Sequence, residues 1–188
     1  MEDNSPLIPE QSTAPAAQRS ETHWLRELLE TLIPAVLLAV VINLFLAQAT
    51  RVFGQSMEPN LHTDQRIVVE KVSYRFHLPQ RGDIVVLKLP QNTKELLIKR
   101  VLALPGETVE IHEGRVWVDG QAVDEPYLTQ PTMGQMAPLV VPDGHVFVLG
   151  DNRGFSNDSR SFGPVPVEDI VGHAWLSYWP PDQLGIVK

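Results

Sequence analysis

Apolar and polar positions alternate differently in successive parts of this chain. Residues 1–22 are rich in Pro, Ser, Gln, Ala and acidic side chains and show no apolar face, which predicts a disordered tail. Trp24, Leu25, Leu28 and Leu29 then recur between charges, as in a helical lead-in. From Leu32 to Ala47 there is no charge, and Asn43 is the single polar residue. Gln48, Ala49 and Thr50 extend this run towards the length of a bilayer-spanning helix, so a transmembrane segment is expected over 23–50. The remainder reads as β. Arg66–Val72, Ile84–Leu89, Glu95–Leu104, Thr108–Ile111, Arg115–Val118, His145–Leu149 and Ile170–Trp179 are β-branched or apolar runs. Gly and Pro separate them, at Arg81-Gly82-Asp83, Pro105-Gly106, Glu113-Gly114, Asp119-Gly120 and Pro142-Asp143-Gly144. Residues 120–139 read as loop. The expected fold is mainly β, a compact sandwich-like or barrel-like domain over 51–188 behind one N-terminal transmembrane helix.

Composition narrows the chemistry. The chain has 188 residues, no cysteine and a net charge of −8. The missing thiols exclude cysteine catalysis, disulfides and thiolate metal sites. The negative balance argues against a nucleic-acid partner. The six histidines fall in no ligand-like spacing, so neither a metal nor another cofactor is expected. Arg19 and Arg26 before the apolar run balance Arg51 and Arg66 after it, so charge leaves the orientation of a span open.

Three stretches then carry candidate chemistry. Phe53-Gly54-Gln55-Ser56-Met57-Glu58-Pro59-Asn60 holds one serine between a permissive glycine and a rigid proline. Such a serine can be presented at a fixed angle, but it needs a base to act as a nucleophile. Lys99-Arg100 interrupts an apolar strand, and alternation sends adjacent side chains to opposite faces. A lysine turned inwards without a carboxylate partner loses its proton easily and can serve as that base. The loop 150–163 follows an apolar strand and packs two Asp, two Arg and three Ser together, as a hydrogen-bonded scaffold would.

Ser56-Met57-x-Pro59, Arg81-Gly82-Asp83-Ile84-Val85, Lys99-Arg100-Val101 with Leu104-Pro105-Gly106, and Gly150-Asp151-Asn152-Arg153-x-x-Ser156-x-Asp158-Ser159-Arg160 with Phe162-Gly163 occur in this order. Together with the apolar run in front, this resembles type I signal peptidase, the membrane-bound Ser–Lys protease that removes secretory signal peptides. The resemblance implies Ser56 as nucleophile and Lys99 as general base. It implies Ser156 as the hydroxyl that holds the lysine, and Asp158 with Arg160 as the salt-bridged support of that loop. It also implies exported preproteins as substrates, cut after small residues, and a lipid bilayer as a further partner. The expected location is the bacterial plasma membrane, or a thylakoid membrane, with the N-terminus cytoplasmic and the catalytic domain on the outer or lumenal side. Some family members carry a serine where this chain has Gly54, and the family's usual threonine after Pro59 is Asn60. Substrate is expected to add to strand edges at Val52–Gln55 and Glu95–Ile98. Met57, Leu61 and Leu97 are candidates to close the first pocket; Val52, Phe53 and Ile98 are candidates for the other. Two other classes stay open: a self-cleaving Ser–Lys protease of the SOS-repressor type, and a non-catalytic, membrane-tethered β module. The first needs a DNA-binding helical domain and an internal Ala-Gly cleavage site, and the chain has neither.

Overall fold

A computed structural model describes residues 22–89 and 92–187. The expected disordered tail lies outside the described residues except for Thr22, which opens the helix α1, Thr22–Val41. A π turn over Ile42–Leu46 follows, and then a strand, β1, Ala47–Arg51. The apolar run is thus split. Arg26, Glu27 and Glu30 occupy the first half of α1, and the second half gives way to the π turn. Among the described residues no helix is long and apolar enough to cross a membrane. The expected helical extension over Gln48–Thr50 does not form. Those residues pair instead with Val69–Ile67, which satisfies their backbone groups in a sheet and starts the β region earlier than residue 51. Cα packing divides the chain between Leu38 and Ala39.

The β strands after β1 are β2 (Arg66–Glu70), β3 (Ile84–Leu89), β4 (Asn92–Ala103), β5 (Thr108–His112), β6 (Arg115–Val118), β7 (Gln121–Ala122), β8 (Met136–Val140), β9 (His145–Leu149), β10 (Val165–Pro166), β11 (Ile170–Trp179) and β12 (Gly185–Ile186). A short helix, α2, covers Ser159–Phe162. All the strand pairings described are antiparallel. The larger sheet runs β1-β2-β11-β3-β4-β9-β10, with β12 on β11; the smaller runs β7-β6-β5-β8. The stretch 120–139, expected to be loop-rich, also holds β7 and most of β8. Pro138 is tolerated in β8 because β8 is an edge strand, where a missing N–H costs no ladder bond.

Strand β3 explains the core. Ile84, Val85, Val86 and Leu87 are all buried, so both faces of the larger sheet are covered. Ile84 and Val86 join Val52, Met57, Leu61, Ile67, Val69, Ile98 and Ala174 on one face. Val85 and Leu87 join Val101, Val146, Val148 and Val165 on the other. A third cluster, with Leu102, Val109, Ile111, Phe147 and Leu149, joins the smaller sheet to the ends of β4 and β9. Strand β4 and the segment after β9 are thus held between packed layers, and they present the polar residues discussed next.

Candidate active site

Ser56 lies in the connection from β1 to β2. Its neighbours anchor this connection from below. Val52, Met57 and Leu61 are buried in the core beneath it, at 1–2% exposure. Val52 N–H donates to the Gln65 carbonyl at 2.8 Å, and Leu61 N–H to the Met57 carbonyl at 2.9 Å. Gly54 has φ +80°, a left-handed conformation that side chains other than glycine rarely adopt. Its carbonyl accepts the Thr63 hydroxyl at 2.9 Å. Ser56 is left half-buried on the rim of this frame.

Lys99 comes from β4, opposite Val85 of β3. It is only 2% exposed. Its Nζ donates to Ser56 Oγ at 2.8 Å and to the Ile98 carbonyl at 2.9 Å. No carboxylate touches it among the described contacts. Burial pushes the Lys99 amine down to about 8, against the weaker opposing pull of Asp158 and Asp151. The amine is therefore partly neutral near physiological pH. In that form the 2.8 Å contact reverses direction, and the serine hydroxyl donates to nitrogen.

The segment after β9 docks on the serine. Asn152 N–H donates to the Ser56 carbonyl at 3.0 Å. Gly150 is required by close approach. A Cβ there would stand 2.2 Å from Ser156 Oγ and 2.5 Å from the Ser56 carbonyl oxygen, so the two serines meet across a backbone that admits no side chain. Asp158 receives Arg160 Nε at 2.8 Å and Nη2 at 2.8 Å, and the Gly150 N–H at 3.1 Å. Burial pushes the Asp158 carboxyl up, but the Arg160 and Gly150 bonds outweigh it and hold it below the usual carboxylate range. Asp158 and Arg160 thus form an ion pair within this loop.

Ser156 differs from expectation. Its Oγ is buried and makes no hydrogen bond with Lys99; it lies beside the Asp158 carboxylate and helps hold that group charged. The second hydrogen bond of Lys99 goes to Ile98 instead. A backbone carbonyl one residue away needs no loop to deliver it, which is why it serves as the acceptor. Among the candidate pocket residues, Phe53, Leu97 and Ile98 line a cleft of about 580 Å³ together with Thr50, Arg51, Gly54, Val86, Glu95 and Leu96. Gln55 is exposed. Val52, Met57 and Leu61 lie below, in the core.

Several contributors went unrecognised in the sequence. Asn60 Nδ2 donates to Asp151 Oδ2 at 2.9 Å and to the Tyr127 carbonyl at 3.1 Å, joining the serine connection to the loop. Asp151 also takes both Arg100 Nε at 2.8 Å and Nη2 at 2.7 Å, and the Arg100 guanidinium lies 3.8 Å from the Tyr127 ring centre. Arg153 donates to Glu125, to Thr132 and, at 3.1 Å, to the Gly150 carbonyl. The one available signal was the adjacency of Arg100 to Lys99. Alternation sends it to the opposite face, where a buried arginine requires a carboxylate. Among the described residues no cluster of His, Asp or Glu is arranged to hold a metal ion.

A buried lysine meets a serine hydroxyl beside a loop that closes on the serine's own carbonyl, and comparison with known proteins gives the family of the chain. The family model for signal peptidase, peptidase S26, matches residues 25–179. The chain is 41% identical over 173 residues to the probable signal peptidase I-1 of Synechocystis sp., covering 88% of each protein. It is 40% identical over 192 residues to signal peptidase I of Leptolyngbya laminosa, covering 98% of this chain and 95% of that one. It is also 37% identical over 160 residues to the chloroplast thylakoidal processing peptidase 1 of Arabidopsis thaliana, covering 80% of this chain and 47% of that one. With the match spanning most of the chain and all of the residues just described, the chain belongs to the signal peptidase family, peptidase S26.

Proposed function

We propose that this chain is a membrane-anchored serine endopeptidase that removes N-terminal signal peptides from exported preproteins, with Ser56 as nucleophile and Lys99 as general base. The observation that carries the reading is the 2.8 Å contact between Lys99 Nζ and Ser56 Oγ in a site where the lysine is buried and unpaired. Neutral Lys99 takes the Ser56 proton as Oγ attacks the carbonyl carbon of the scissile peptide. The developing oxyanion is held by the Ser56 N–H, which makes no backbone hydrogen bond among the described residues. The lysine, now charged, returns the proton to the leaving amine as the C–N bond breaks. It then deprotonates water for attack on the acyl-serine, and Ser56 is regenerated. Asp158 and Arg160 act by holding the loop that closes on Ser56, and the Ser156 hydroxyl engages the lysine amine during turnover.

Substrate enters by its backbone. β1 is an edge strand, and β4 pairs with β9 only from Arg100 onwards, so Glu95–Ile98 keeps a free edge among the described residues. Both line the same cleft. An extended peptide laid between them gains main-chain hydrogen bonds on either side. Phe53, Leu97 and Ile98 then wall the side chains before the cut, and we assign the preference for small residues to this wall.

The anchor in this reading is the apolar stretch of α1 with the π turn. Every large apolar side chain described there, from Leu32 to Leu46, is 40–61% exposed. Such a surface has no partner in water and is suited to lipid. The catalytic region lies on the outer or lumenal side, where exported chains emerge. The test is incubation of the full chain in detergent or vesicles with a synthetic preprotein, with product N-termini read by mass spectrometry. A single new N-terminus after a small residue is expected. No cleavage, or equal cleavage by Ser56→Ala, refutes the assignment.

A further inference from the structure

The cleft that precedes the nucleophile has a counterpart beyond it. A groove of about 280 Å³ is lined by Glu58, Pro59, Gln130, Met133, Asn152 and Phe155, among others. Along the nucleophile connection, the first cleft's lining ends at Gly54 and this groove's begins at Glu58, so in the chain Ser56 falls between the two linings. One wall is bonded to the nucleophile residue itself, through the Asn152 N–H on the Ser56 carbonyl. The volume is smaller than the roughly 300–1,000 Å³ of a drug-sized ligand site, which suits one or two side chains.

Two features give the groove a chemical preference. Met133 is 72% exposed and Phe155 75% exposed, although Thr132 and Arg153 close beside them in the chain are buried. Arg153, two residues before Phe155, donates to Thr132, the residue before Met133. That bond ties the two segments together and holds two large apolar side chains at the surface without a core contact to explain them. The second feature is charge. Asp151 is neutralised by Arg100 and Arg153 by Glu125, which leaves the half-buried Glu58 as the groove's uncompensated charge among the described residues.

We propose that this groove binds the first residues downstream of the cut, the N-terminus of the mature exported protein. It takes an apolar side chain against Met133 and Phe155 and disfavours an acidic one beside Glu58. The inference rests on the peptidase reading above and adds a downstream specificity to it.

The test uses two substrates with the same residues before the cut. The long one continues for four residues, with leucine, serine or aspartate placed at each in turn. The short one ends at the cut in a small chromogenic amide. The readout is the ratio of kcat/KM for the long peptide to that for the short one. At one downstream position leucine should raise the ratio over serine roughly three- to tenfold, as expected for partial burial of one apolar side chain. The Phe155→Ala, Met133→Ala double variant should erase that preference. Aspartate should lower the ratio a few-fold, and Glu58→Gln should relieve this, with the effect shrinking as salt rises. Indifference of the wild type to all downstream residues overturns the proposal, as does a leucine preference that survives in the double variant. If the wild type cuts neither substrate, the peptidase reading itself falls and the groove's role with it.

Discussion

The two faces of β4 treat a buried cation in opposite ways. Lys99 and Arg100 are adjacent, and each is 2% exposed. On one face Lys99 meets a hydroxyl and a carbonyl, with no carboxylate in contact, and burial lowers its pKa to about 8. On the other face Arg100 is gripped by both oxygens of Asp151 and lies over Tyr127. Desolvation acts on both. Lysine can answer by losing its proton, whereas arginine keeps its charge and must be paired. In the proposed reading one face therefore supplies a base and the other a strut. The strut is not separate from the chemistry, because Asp151 precedes Asn152, whose N–H holds the Ser56 carbonyl.

The largest effect that tests this contrast is on activity. Ser56→Ala and Lys99→Arg should each lower kcat/KM on a synthetic preprotein by at least about 10³-fold, because guanidinium cannot act as a base. Substantial turnover by Lys99→Arg would remove the distinction between the faces. On the strut side the effect is on stability. Asp151→Ala leaves Arg100 buried without its partner and should cost roughly 3–5 kcal/mol in chemical denaturation. A loss under about 1 kcal/mol would mean that the arginine finds other compensation.

Lys99 should respond with the opposite sign. Its folded pKa, about 8, lies below the unfolded value of about 10.4, so the unfolded chain binds the proton more tightly. The resulting penalty is fully present below pH 8 and gone above the unfolded pKa. Lys99→Met should therefore raise stability at pH 7 by up to about 3 kcal/mol, and by nothing from this source at pH 11. In the unaltered chain, kcat/KM should rise with an apparent pKa near 8. Destabilisation of Lys99→Met at pH 7 would argue that the lysine is charged and paired.

The smallest effect separates two buried serines of one loop. Ser159 Oγ accepts the Val148 N–H at 3.0 Å, whereas Ser156 Oγ lies beside the Asp158 carboxylate and makes no bond to the backbone. Ser159→Ala should cost roughly 1–3 kcal/mol of stability with little change in kcat. Ser156→Ala should leave stability nearly intact and lower kcat by about 10–100-fold if its hydroxyl engages the lysine during turnover. Equal kcat for the two variants would confine Ser156 to scaffolding.

Legibility in the sequence followed the range of the interaction. Ser56 and Lys99 could be singled out from their local setting, Asp158 and Arg160 through the family resemblance, and β3, β9 and β11 from runs of apolar residues, because backbone periodicity governs the strands. The Gln48–Thr50 extension was misread, since a short polar-apolar run can close a helix or pair with a distant strand, and β2 decided for the strand. Hydrogen-bond partners were harder still. Asn60 on Asp151, Arg153 on Glu125 and the placing of the Ser156 hydroxyl depend on how three chain segments dock to within a few tenths of an ångström. A hydrogen bond is made or lost over that distance. What the sequence alone determined was which residues are able to do chemistry: a presented serine, a lysine inside an apolar strand and a charge-dense loop. Only the tertiary structure decided that the lysine is buried without a carboxylate while its neighbour receives one. That choice depends on what packs against each face of β4, and no sequence pattern within the strand encodes it.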